Sequence, residues 1–386
     1  MDIISRNFFR LVRSGVFAEK EQIEPMSAWK WRRAYQYAMM HGLCALMYDG
    51  LKNCEDQFFL QLPEDLKEQW QENRRKTEKR NKQEVAVLNQ LYKRLSNLQL
   101  RPILYEGYRL AALYDHPEHR ISDGINIFYP FQTQGHKANQ WAQREGTCPN
   151  DVDKNLFVYQ WNNIEVRHHL QLQQLTNKLL NHTLQSIVEK EFRENEPQFI
   201  QISTWAGTTD NTNYEVTSNT LTLLYLLVNI AKSMLNNGVS LKSLIDVGIV
   251  LRKAGNKVDF VKLQGWIDKI HLRQIAHLSG LMLIDYFHFT KDEIPFIIDK
   301  RFEEQSPSAN RFKELNKINE NLFTINSAIE EEWYFKQGKD IFVHASNSSA
   351  MIGQVQRSAS NFKYFPQESI TNFITSFLHS LSHIEE

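Results

Sequence analysis

The chain has 386 residues, with 45 Lys+Arg against 45 Asp+Glu, and 42% of it is hydrophobic. Those figures fit an ordered globular protein of two or three domains and exclude a disordered one. A net charge of zero gives no global pull towards nucleic acid or an anionic membrane, so neither is expected as a partner.

The start, MDIISRNFFRLVRSGVF, does not read as a secretion signal, because Arg6, Arg10 and Arg13 interrupt every apolar stretch. The longest apolar run, LTLLYLLVNIA from Leu221, is about half the ~20 residues a spanning helix needs, and reads as a buried helix. Cys44, Cys54 and Cys148 show no CxxC spacing, which points to free thiols in a reducing cytoplasm.

Residues 1–98 read as a helical region. AWKWRRAYQYAMMHGLCALMYDGL places Trp31, Ala34, Tyr35, Ala38, Leu43 and Leu46 near helical spacing. LPEDLKEQW is a helix start, with Glu64 and Asp65 facing the positive end of the dipole. That helix continues through a charged half, where Arg74–Lys82 reads as a solvated face. Its second half carries an apolar stripe at Val85, Leu88, Leu91, Tyr92 and Leu95.

Residues 99–215 change pattern and read as a small α/β domain. PILY is a short buried strand, YRLAALY a helix and GINIFYP a strand. NLFVYQWNNIEVRHHL is a hairpin turning at Asn162-Asn163. Asp210 to Asn219 reads as a polar loop. Residues 216–305 form a second helical domain: one helix closes at Asn236-Asn237-Gly238, the next at Gly255, and Asp259 caps a long third. Residues 306–386 are an extension. It has a linker near Ser306–Asn310 and ends in an amphipathic helix carrying Ile370, Phe373, Ile374, Phe377 and Leu381.

The chemistry centres on EGYRLAALYDHPEHRISDGINIFYP, Glu106 to Pro130. Residues i and i+2 of a strand share a face, so a D-x-D pair converges on one point. With a third carboxylate on the neighbouring strand, such a pair holds magnesium for phosphoryl displacement. A glycine before a helix start lets the backbone approach phosphates.

This stretch resembles the bacterial uncharacterised nucleotidyltransferase-like family, whose pattern runs roughly K-G-x-x-[LI]-A-x-x-Y-x-x-P-x-x-R-x-x-G-D-[IV]-D-[LI]. Gly107, Leu110, Ala111, Tyr114, Pro117, Arg120, Ile125 and Ile127 agree without a gap. FFRLVRSGVF, NNIEVRHHL, LLYLLVNIAKSMLNNGVSLKSLIDV and NFKYFPQESI are also similar to that family. The resemblance implies a nucleotidyltransferase-type mixed sheet flanked by N- and C-terminal helical regions. It also implies a magnesium-dependent ancestor.

The departures fall on the chemistry. Glu106 stands for the family's lysine, Asp123-Gly124 inverts its Gly-Asp pair, and Asn126 replaces its second aspartate. If His169 matches the family histidine, Arg167 replaces the third acid, and Asn229 and Ser233 stand where two further histidines are common. Gly124 offers no ligand atom and Asn126 one neutral oxygen, so no metal and no cofactor is expected. On a regular strand Asp123 points away from Gly124 and Asn126, while a bulge would re-aim it. Arg109 and Arg120 can bind an anion or pack structurally. His168 and His169, adjacent on a strand, point oppositely and read as structural. Arg167 is expected in the old metal position among Glu165, Asp123 and Glu106. There, Arg167→Glu with Asn126→Asp and Gly124→Asp would rebuild three carboxylates.

Three functional readings follow. One is a degenerate member keeping a binding or regulatory role at Glu106, Gly107, Arg109, Arg120, Gly124 and His169, with a nucleotide or other anionic small molecule. The second is a live magnesium enzyme using Asp123 and Glu165 in a rearranged site. The third is a scaffold for a partner protein.

Overall fold

The computed structural model describes residues 1–202, 212–236, 239–296, 322 and 364–371. The chain opens with α1 (Ile3–Phe17), α2 (Ala28–Met40), α3 (Cys44–Asn53) and the 34-residue α4 (Glu64–Asn97). Asp2 caps α1 through Ser5 N at 2.8 Å. The helical stretch read across Trp31–Leu46 is two helices. The chain breaks after His41, where Gly42 takes φ +66°, a conformation that costs glycine little. The stripe expected on α4 is buried, from Val85 to Leu95.

The sheet strands are β1 (Ile103–Leu104), β2 (Ile125–Phe128), β3 (Thr147–Asp153), β4 (Leu156–Trp161), β5 (Ile164–His169), β6 (Gln198–Gln201) and β7 (Asn213–Val216). Their order is β3-β4-β5-β2-β1-β7-β6. β2 runs parallel to β5 and antiparallel to β1, so the sheet is mixed. Asn162 and Asn163 have φ of 51° and 62°, the left-handed pair a two-residue hairpin demands, and they join β4 to β5 as expected. The short helix α5 (Tyr108–Ala111) follows β1, α6 (Gln132–Glu145) follows β2, and α7 (Lys178–Glu194) follows β5.

The loop expected over Asp210–Asn219 is corrected by β7, which pairs with β1. Its polar composition hid the strand. Tyr214 and Val216 are buried, and the inward-pointing Glu215 is held by Arg101, Nε to Oε2 at 2.8 Å.

After β7 come α8 (Asn219–Asn236), α9 (Leu241–Ala254), α10 (Phe260–Lys269) and α11 (Arg273–Phe287). Asp259 caps α10 through Lys262 N at 2.9 Å, as expected. The long third helix is two, broken where His271 takes φ 57°. The linker near 306–310 lies outside the described residues, as does the C-terminal amphipathic helix beyond residue 371. The part of that helix that is described leaves Ile370 half exposed.

Apolar clusters cover both faces of the sheet. On one face α4 and α6 pack against Ile125, Ile127, Tyr159 and Val166. On the other, α1–α3 and α8–α11 share a single core that reaches Ile103, Tyr105 and Phe128. The first and last helical groups therefore meet in space: Phe9 stacks on Tyr286 at 4.7 Å. No helix among the described residues is long and apolar enough to cross a membrane.

Candidate functional site

The β1–α5 loop and the entry to β2 lie against α8 and α9, and a cavity of about 200 Å³ opens between them. Glu106, Gly107, Arg120, Asp123 and Asn126 line it from the sheet side. The helices contribute Tyr225, Asn229, Lys242, Ser243 and Asp246.

Asn126 sits beside Arg167 in the parallel β2/β5 register, opposite the fully buried Ile125 and Ile127. Its Oδ1 lies 2.9 Å from His169 Nε2. Burial, then the nearby cations Arg167 and Lys232, push the His169 pKa down to about 3. The imidazole is therefore neutral at pH 7, and Nε2–H donates to the amide oxygen. His168 points to the other face, where Tyr159 Oη lies 3.0 Å from its Nε2.

Asp123 stands just before β2, and Gly124 has φ +83°. Strand alternation therefore does not reach Asp123. It lines the same cavity as Asn126, contrary to the parity expected for a regular strand. Its carboxylate takes a hydrogen bond from Lys242 Nζ at 2.9 Å. Burial opposes ionisation there, yet Lys242, Arg120 and Arg167 hold the carboxyl below its ordinary range.

Gly124 is also closely confined. A Cβ at this position would lie 2.8 Å from the Glu165 carbonyl oxygen. The three-carboxylate rebuild is corrected on this point, because residue 124 has no room for an aspartate on this backbone.

Arg167 reaches into the site's rim. It donates to the Asp123 carbonyl at 2.6 Å and pairs with the Glu165 carboxylate. The Asp123 side chain goes to Lys242 instead, and Arg167 keeps 31% exposure, so the pair is only partly enclosed.

Glu106 faces the cavity with its carboxylate hydrogen-bonded by the Tyr225 hydroxyl. Burial pushes its pKa up to about 7, against the opposing pull of Lys242 and Arg120. Arg120 is engaged throughout. It grips Asp246 with two hydrogen bonds of 2.7 Å and donates to the Gly107 carbonyl at 3.0 Å. Arg109 is not in the cavity lining. It is buried against Asn219 with its Nε unpartnered, and burial lowers its pKa to about 10.

Sequence reasoning missed Lys242 and Asp246. The signal was present in SLKSLIDV, where a lysine and an acid four apart interrupt an apolar helix. Asn229 lines the cavity and donates to Ser243 Oγ at 3.1 Å, whereas Ser233 is not in the lining.

A mixed sheet whose second strand enters beside a polar cavity, closed by helices, is the architecture of a nucleotidyltransferase-type domain. Residues 27–288 match the family described as uncharacterised nucleotidyltransferase, and the chain belongs to that family. Comparison with curated proteins and with solved structures finds no match.

Proposed function

We propose that this chain is a nucleotidyltransferase-family protein that has lost metal-dependent transfer and keeps the family's cavity as a binding site with a regulatory role. The observation that carries this is the Asn126–Arg167 register pair. An amide and a guanidinium stand side by side where the family pattern calls for two acids.

The donor set does not suit a divalent cation, which wants hard, unpaired oxygens. Gly124 supplies none, and the one oxygen of Asn126 accepts from His169. Asp123 is paired with Lys242 and Glu165 with Arg167 through one oxygen each, so a metal would have to compete with two protein cations already in place. The same pairings weigh against a rearranged enzyme built on Asp123 and Glu165.

Calorimetric titration with magnesium and ATP tests the proposal. We expect no tight, metal-dependent binding and no pyrophosphate release. Micromolar magnesium-ATP binding that Asn126→Ala abolishes would overturn it.

A further inference from the structure

The lining of the cavity shows an imbalance of charge. Three acids face it, Glu106, Asp123 and Asp246, against two bases, Arg120 and Lys242. Both bases are already matched: Arg120 holds Asp246, and Lys242 holds Asp123. Glu106 is left over. No lysine or arginine lies within ion-pair distance of it among the described residues, and its one hydrogen-bond donor within the lining is the Tyr225 hydroxyl.

Other lining groups also ask for a donor. Asn229 donates its Nδ2 to Ser243, so its carbonyl oxygen remains an acceptor with no partner among the described residues. The Tyr225 ring stands at the same wall, edge-on to Tyr105 with centroids 5.2 Å apart. Aromatic faces attract cations. An anionic ligand is served less well, since Lys242 is already drawn to Asp123 and three N–H groups of Arg120 are committed to Asp246 and the Gly107 carbonyl.

Size narrows the choice further. About 200 Å³ has room for roughly six or seven waters at ~30 Å³ each, and lies below the ~300–1,000 Å³ of sites that take drug-sized ligands. The enclosed space holds a compound of a few heavy atoms, not a nucleoside triphosphate in full.

We propose that this cavity binds a small primary ammonium compound, its cationic end against the Glu106 carboxylate and its N–H groups shared with the Asn229 carbonyl. This rests on the cavity being a retained binding site, and it assigns that site a ligand class. Because the empty carboxyl titrates near pH 7, seating a cation draws off the proton that half of the molecules carry at that pH.

The test is calorimetric titration of the full chain at pH 7 with 1,4-diaminobutane, its neutral isostere 1,4-butanediol, and ATP with magnesium. The expected result is diamine binding at least tenfold tighter than diol binding, with release of about half a proton per site, read from two amine-free buffers of different ionisation enthalpy. Glu106→Gln should weaken the diamine at least tenfold and abolish the proton release. Tyr225→Phe keeps the carboxylate but removes a hydrogen bond to its charged form. It should weaken binding at pH 7 and recover it by pH 8.5. Equal binding of diamine and diol, no diamine binding, or diamine binding unchanged in both variants overturns the proposal. Tight magnesium-ATP binding counts instead against the loss of metal-dependent transfer, so the two failures are separable.

Discussion

The buried Arg120–Asp246 pair should carry a large share of the site's rigidity, and a double-mutant cycle measures it. Both side chains are nearly sealed, at 4% and 2% exposure, and two hydrogen bonds of 2.7 Å join them. Arg120→Met leaves the Asp246 carboxylate with the Tyr114 hydroxyl, 2.7 Å away, as its remaining partner. Breaking one side of such a pair costs about 3–5 kcal/mol. Asp246→Leu strands the guanidinium with the Gly107 carbonyl and should cost a similar amount. The double variant removes both charges and leaves mainly the Tyr114 hydroxyl unpaired, about 1–3 kcal/mol. The singles together should therefore exceed the double by at least ~2 kcal/mol. Urea denaturation with an unchanged m-value is the assay. If each single costs under ~1 kcal/mol, or the costs simply add, Arg120 is not fixed by Asp246 and is free to face a ligand.

Three further outcomes are expected. His119 has carboxylates at both ring nitrogens, Asp49 at 2.6 Å and Glu78 at 2.8 Å, so both must donate and the ring is an imidazolium. Burial opposes that charge, but Asp49 and Glu78 raise its pKa above the ordinary 6.5. The stabilisation is therefore complete below about pH 6.5 and lost as pH rises through the folded value. Chemical denaturation from pH 6 to 9 should fall more steeply for wild type than for His119→Gln, and parallel curves would refute the assignment. Asn126→Asp puts a carboxylate 2.9 Å from His169 Nε2 and should raise that histidine from about 3 by roughly 1–3 units, read by NMR titration. Gly124→Ala should destabilise by about 1–3 kcal/mol, since it combines a positive φ with a clash on the Glu165 carbonyl, and a neutral result in thermal melts would mean the loop relaxes freely.

What was legible in the sequence follows from the range of each signal. Asn162-Asn163 announced its hairpin, because the φ values of a two-residue turn are a local demand. The alternation of Ile125 and Ile127 against Asn126 announced the strand's faces for the same reason. The strand Asn213–Val216 was not legible. One partner, Leu104, lies more than a hundred residues away; the other, Gln198–Gln201, is as polar as the strand itself; and Glu215 is met there by Arg101. Asp123 was misplaced because period-two reasoning was carried one residue beyond the strand, across a glycine with positive φ. Lys242 and Asp246 were missed because a helix-borne pair gives no hint of which loop it will face.

On the proposed loss of metal-dependent transfer, the pairings around the site bear on how the remaining acids are balanced within an intact fold. Clustered carboxylates repel one another, and a divalent cation offsets that repulsion. Deleting acids lowers the repulsion, but any acid that stays still needs a counter-charge. Here the two remaining acids nearest β2 have one each: Lys242 from α9 for Asp123, and Arg167 from β5 for Glu165. Both pairs are partly exposed, so each contributes only ~0–1 kcal/mol, and neither is a strong staple for the fold. Their consequence is chemical, because each leaves its carboxylate at the β2 entry already facing a cation of the protein. The acid that lacks a cation, Glu106, lies deeper in the cavity and responds by holding its proton up to about pH 7. The one acid of the lining without a paired base thus lies in the loop after β1, not at the strand entry. A search for what this protein binds belongs at Glu106 rather than at the positions where the family pattern has its aspartates.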